Sequence, residues 1–416
     1  MKLRTVHDVA RQQMCTGCGV CAYLAPDEVR MVDVLDHGRR PLPLTPVGGG
    51  GDARACCPGA ALAHSTVDAG PGEIAELRAN WGPVRALWEG YASDPAVRYA
   101  GSSGGVATAL ATYCIEQAGF AGVLHIGARE DVPYLNEARY SRTGAELLTT
   151  TGSRYAPASP CERLDLVEAA PAPSVFIGKP CDVAAAGMAA RVRPALAAKL
   201  GLTIGIFCAG TPSTRGTLEM LAAMGVPDPS RVRSVHYRGQ GWPGDARAAT
   251  VDDPIERRLT YAQSWGDILQ RHRQWRCYLC ADHTGEFADV AVGDPWYRPT
   301  GDDPGRSLVL ARTERGARLI AAAIEAGVLT LEPVAPEILP ASQPNLVSAR
   351  GAVWGRIRTL RAAGQAAPRY RHLPMAGAWW RHLTVREKLR STAGTLLRVR
   401  RRRLWRDVEL TEYDPG

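Results

Sequence analysis

The run Cys15-Thr-Gly-Cys18-Gly-Val-Cys21-Ala-Tyr-Leu-Ala25-Pro26 constrains this chain more than any other stretch. The spacing C-x2-C-x2-C puts three thiolates on one tight loop, where they can face a single iron–sulfur cubane. Zinc sites usually draw on two separated C-x2-C knuckles, so the triple favours iron–sulfur over zinc. In two-cluster ferredoxins a fourth cysteine, followed by proline, ligates the other cluster. Here alanine precedes Pro26, and the run is one ligand short. The remote Cys57-Pro58 in ACCPGAAL can close the set, giving one expected 4Fe–4S cluster on Cys15, Cys18, Cys21 and Cys57. Cys56 competes for the last place, and Pro58 favours its neighbour.

At 416 residues the chain has room for two to three domains, and an apolar fraction of 45% is enough for a full core. Its formal charge of +8 is unevenly placed: from Arg350 onward sixteen Arg/Lys face five Asp/Glu, so the tail carries +11 and the body is slightly acidic. That distribution argues against a global nucleic-acid binder, and no nucleic-acid-binding module is recognisable. The first residues hold no apolar signal-peptide core, and no run of 18 apolar residues occurs, so a soluble cytoplasmic protein is expected. In that setting the eleven cysteines read as ligands rather than disulfides.

Strand and helix patterns alternate from about residue 84: Val84–Ala92, GVLHIGA (122–128), SVFIG (174–178), GLTIGIF (201–207), FADVAVGD (287–294) and SLVLA (307–311) read as strands, with helical patterns over 182–192 and 213–224. The expected fold class is α/β, with α+β as the alternative. The expected parts are a ferredoxin-like segment (1–65), two portions of an α/β body (84–165 and 166–345) and an Arg-rich helical tail (346–416). Cys181 and Cys208 fall just past strand ends, where sites gather in open α/β sheets, and Cys277 and Cys280 form a C-x2-C pair. These four could complete a second ligand set; spacing alone leaves a structural zinc or scattered core thiols open. Cys114 reads as core, and Cys161 has no evident partner.

The motifs GKPCD, IGIFC, RCYLCADHTGEFADVAVGD, SSGGVATAL and YRGQGWPG resemble, in order, those of the coenzyme F420 hydrogenase/dehydrogenase beta-subunit family, over roughly residues 10–335. The resemblance implies FAD together with iron–sulfur clusters, and makes Cys181, Cys208, Cys277 and Cys280 ligands of a second 4Fe–4S cluster beside the flavin. It also favours Ser102, Ser103, Gly104 and Gly105, at a helix start, as a flavin-diphosphate loop rather than a plain N-cap. Gly152, Ser153, Arg154 and Tyr155 form a second candidate loop, with Arg154 as a two-bond diphosphate partner and Tyr155 as ring stack or core filler. Lys179, one of only four lysines, could stabilise an anionic reduced flavin or be a solvated surface residue. Trp242, His283 and Asp294 are weaker candidates. No proton donor stands out.

Three functions follow as expectations: an oxidoreductase linked to reduced deazaflavin, a ferredoxin-dependent flavin reductase of a conjugated organic substrate, and a non-catalytic electron-transfer adaptor. The tail lies outside the resemblance. Arg400 to Arg403 among Leu396, Leu397, Val399, Leu404 and Trp405 can make a basic amphipathic helix for an anionic membrane surface or an acidic partner protein, or a solvated helix packed on the body.

Overall fold

The short β-branched and apolar runs become one eight-stranded sheet in the computed structural model, which describes every residue except 1, 2, 47, 254, 301 and 302. In chain order the strands are β1 (Ala86–Ala92), β2 (Gly122–Ala128), β3 (Asn136–Ser141), β4 (Ser174–Gly178), β5 (Leu200–Ile206), β6 (Val290–Gly293), β7 (Ser307–Ala311) and β8 (Leu329–Pro333). Across the sheet they run β8-β1-β7-β6-β5-β4-β2-β3. The neighbours β6, β5, β4 and β2 are parallel, and antiparallel strands flank them on both sides, so the α/β expectation is met by a mixed sheet.

Side chains alternate between the faces along each strand. Val123 and Val175 join a core with Leu202, Ile204 and Val309 under α1 (Val106–Glu116) and α3 (Glu314–Glu325). Leu124 and Phe176 turn to the other face and meet α2 (Pro180–Val192). The same second core takes in Cys18, Val20 and Tyr23, so the first cysteine loop packs directly on the far side of the sheet's helix layer. Between β5 and β6 the chain builds a smaller antiparallel sheet from Val232–His236, Ala246–Thr250 and Arg257–Leu259.

The tail is helical where the pattern suggests, in α4 (Leu346–Ala362) and α5 (Val385–Arg401), but the stretch between Pro368 and Pro374 holds a strand. That strand, Arg369–Arg371, pairs in parallel with Ala61–Ala63 of the first segment. Val399 and Leu404 enter the same core as Cys15 and Cys57. Farther on, Val408 N–H donates to Arg11 O at 2.9 Å and Tyr413 N–H to Asp33 O at 2.7 Å. The tail therefore wraps the N-terminal segment. The inner face of α5 (Ser391, Thr395, Val399) is buried, whereas Val385, Leu389, Leu396 and Leu397 are exposed beside the arginine run. Arginines crowd here: burial, then Arg398 and Arg273, push Arg356 down to about 10. Among the described residues no helix is long and apolar enough to cross a membrane.

Candidate functional site

The first sulfur set is built on a loop only glycine can shape. Gly17 and Gly19 sit at φ +77° and +88°, and a Cβ on Gly19 would stand 2.8 Å from Glu162 N. Cys15, Cys18 and Cys21 are thereby turned toward Cys57, which follows the helix Gly51–Ala55. Burial raises the Cys18 and Cys21 thiols well above the usual range, and the other cysteines add to it: Cys57 and Cys15 act on Cys18, and Cys15, Cys18 and Cys57 on Cys21. Cys57 is pushed up to about 11 by burial and by Cys15. Cys56 takes no part in this coupling; its thiol donates to Met188 O at 3.4 Å. Gly17 N–H donates to Cys15 Sγ at 3.3 Å.

The second set gathers from three places. Cys181 lies in the first turn of α2 just after β4, Cys208 follows β5, Cys277 lies in the turn Trp275–Leu279 and Cys280 caps its end. Because β4 and β5 are adjacent and parallel, their carboxyl ends deliver the first two cysteines side by side. Burial pushes Cys208 and Cys280 up to about 12 and raises Cys181 well above its usual range; the thiols act on one another across the group. Thr211 N–H donates to Cys277 Sγ at 3.3 Å. The first set thus holds four buried cysteines and the second four half-buried ones, and burial raises the thiols of Cys18, Cys21, Cys57, Cys181, Cys208 and Cys280. A cationic iron–sulfur core is the chemistry that makes such a donor set favourable, since the thiolate is the ligand form. Among the described residues no three His, Cys, Asp or Glu side chains converge tightly enough for one metal ion.

The sets are neighbours. Cys161 is fully buried between them, donating its thiol to Asp182 O at 3.3 Å and its N–H to Cys18 O at 2.9 Å, and it feels both Cys18 and Cys181. Arg40 feels Cys15 on one side and Cys277 on the other. Arg276, beside Cys277, donates to Pro58 O at 3.0 Å, next to Cys57.

A cavity of about 310 Å³ opens over the carboxyl ends of β4, β5 and β6, within the range of small-molecule sites. Cys208, Lys179 and His283 line it, so it shares a wall with the second sulfur set. Of the loop residues expected here, Ser102, Ser103, Gly105, Gly152, Ser153, Arg154 and Tyr155 line it. Gly104 does not; it lies behind the wall, where a Cβ would meet Gly90 O at 2.6 Å. The start of α1 has no side-chain cap, and Val106, Ala107 and Thr108 face the cavity, leaving N–H groups for an anion. The serines are tied in place: Ser103 Oγ is 2.9 Å from Ser307 Oγ, and Ser102 Oγ accepts from Ser153 N–H.

Arg154 differs from the expectation of a free clamp. Its guanidinium donates to Val235 O at 3.0 Å, Pro133 O at 2.7 Å and Asn136, so it is already engaged by the protein. Lys179 is not a solvated lysine: its ammonium is 2.6 Å from Asp182, and although burial opposes the charge, Asp182 and then Cys181 outweigh it and hold it on. Tyr155 packs on Trp265 at 4.9 Å between ring centres. Trp265 lies on a π-wound segment, Ala262–Ile268, a rare geometry that recurs at functional sites.

Arg238 was hidden in YRGQGWPG. It is 3% exposed and donates to Asp294 at 2.8 and 3.0 Å, to Tyr155 OH at 3.2 Å and to Pro243 O at 2.7 Å. Trp242 Nε1–H also donates to Asp294, at 2.8 Å. Asp294 is thus the anchor of the cavity's rim. His283 donates Nδ1–H to Cys208 O at 2.8 Å, and burial lowers its basicity.

Residues 87–164 match the family described as coenzyme F420 hydrogenase/dehydrogenase, beta subunit N-terminal part, and residues 174–337 match its C-terminal part. The coenzyme F420 hydrogenase subunit beta of Methanosarcina barkeri is 22% identical over 248 residues, 58% of this chain and 79% of that protein. Its counterpart in Methanococcus voltae is 25% identical over 253 residues, 57% of this chain and 80% of that one. A chain of the F420-reducing NiFe hydrogenase complex from Methanosarcina barkeri shares the fold, with a TM-score of 0.52 and 19% identity over 67% of this chain and 94% of that chain. The family match begins after the first cysteine set and ends before α4.

Proposed function

This chain belongs to the coenzyme F420 hydrogenase/dehydrogenase beta-subunit family, and from that membership we propose that it is an iron–sulfur flavoprotein oxidoreductase with FAD, two 4Fe–4S clusters and a reduced deazaflavin as redox partner. One observation carries the reading: the cavity over the sheet and the second sulfur set share Cys208 and the Lys179 side of their wall. A flavin bound there supplies the exchange between a two-electron organic partner and single-electron carriers. The chain's own residues hold and orient. Cys181, Cys208, Cys277 and Cys280 would hold the nearer cluster, and Cys15, Cys18, Cys21 and Cys57 the farther one. The start of α1 offers N–H groups to a diphosphate, Lys179 presents a cation at the cavity wall, and Arg238 with Asp294 fixes the rim. The first segment serves as a ferredoxin-like relay, with Cys161 and Arg40 between the two sets. All eleven cysteines are free, in keeping with a reducing, cytoplasmic setting.

The test is oxygen-free purification followed by iron, sulfide and flavin quantitation, then anaerobic addition of reduced deazaflavin or reduced ferredoxin. Two clusters and one FAD per chain, with flavin absorbance bleached by deazaflavin, are expected. Zinc alone, or no flavin, would sink the proposal. Bleaching by ferredoxin and not by deazaflavin would keep the cofactors and replace the donor.

A further inference from the structure

Where the hairpin Val29–Pro43, the C-x2-C turn and the end of α5 meet, a second cavity of about 180 Å³ opens. Arg40, Arg271, Arg273 and Arg402 stand in its wall with Trp275. The one carboxylate there, Asp36, is already paired with Arg215, which donates to it at 2.9 Å. Two of the lining residues keep a buried N–H without an acceptor: Nε of Arg40 and Nε1 of Trp275, both residues being 2% exposed. Arg40 is otherwise fixed, donating to Arg39 O at 2.7 Å and to Gln274 at 2.8 Å. Arg402 lies over the Trp275 ring at 5.7 Å from its centre, which sets a second guanidinium beside the indole.

Buried donors without acceptors are costly, and guanidinium forks match the oxygens of carboxylate and phosphate groups. We propose that this cavity binds a small oxyanion of the phosphate or carboxylate class. Four arginines line it, two of its lining residues keep an unsatisfied N–H, and the only acid in the wall is taken; Arg271 also pairs with Glu219 at 3.7 Å, and Arg273 donates to Ala209 O at 3.1 Å. At about 180 Å³ it falls below the range of drug-sized ligand sites, so the occupant is small. The site shares no lining residue with the flavin cavity, and two of its arginines, Arg40 and Arg402, lie outside the stretch 87–337 that matches the family.

Calorimetric titration of the purified full chain with sodium phosphate, and separately with sodium citrate, against sodium chloride at matched ionic strength tests this. Saturable binding of one ion per chain is expected for phosphate or for citrate and not for chloride; which of them binds distinguishes the two sources. Arg402→Ala, a change at an exposed residue, should weaken binding about tenfold, the loss of one charged hydrogen-bonding partner. Arg40→Gln, if the variant folds by near-UV dichroism, should abolish it. Absence of saturable binding by both anions, or binding unchanged in Arg402→Ala, overturns the proposal.

Discussion

Cys56 and Cys57 are adjacent, yet only Cys57 feels the other cysteines; Cys56 bonds instead to the end of α2 at Met188 O. On the proposed function, Cys57→Ser should lose about half the iron and sulfide, and Cys56→Ser should keep all of it, as colorimetric assay of anaerobic protein will show. Arg238→Leu should destabilise the fold by about 3–5 kcal/mol, because it leaves the Asp294 carboxylate without its buried partner, and urea denaturation measures the loss. Proline after Cys57 was enough to single that cysteine out from sequence. Arg238 could not be found that way: it is one of 46 arginines, and its importance rests on a long-range pairing with Asp294 that no spacing encodes. Cys161 was opaque for the same reason, since its neighbours Cys18 and Cys181 come from distant loops.

Among the elements, β2 and β4 have the bounds their apolar runs announce, because parallel central strands are buried on both faces and read as continuous patches. The edge strands β3 (NEARYS) and β8 were not legible, since each exposes part of its length and carries charge. Helix α4 docks through a buried pair that gives the fold an acid limit. Burial alone would raise the Glu286 carboxyl, but Arg350 on α4, with His64, outweighs it and holds it at about 2. Relative to an unfolded value near about 4.3, this depressed carboxyl stabilises the fold above that pH and loses its contribution as pH falls through about 2. The contribution is about 3 kcal/mol. Urea midpoints taken between pH 5 and 2 should fall accordingly, and Glu286→Gln should be less stable at pH 5 and lose this part of the slope.

For the molecule as a whole, the tail and the first cysteine segment form one packed unit despite lying at opposite ends of the sequence. Ending the chain at residue 345 removes the strand partner of Ala61–Ala63 and the buried side chains of Leu360, Ala366, Val399 and Leu404 that pack in one core with Cys15 and Cys57. On the proposed function the truncated protein should lose the first cluster's iron and be cut by protease within residues 3–60; metal analysis and peptide mapping read both. The Arg-rich tail alone looked like an accessory for surfaces, because its outer face is apolar and basic while its inner face is mostly small residues whose packing is not evident from periodicity. The side chains that cover the first sulfur set leave the ribosome long after the cysteines beneath them. Sealing of that set must therefore wait until α5 has emerged, so on the proposed function the window for loading iron into it stays open while the whole sheet is being made.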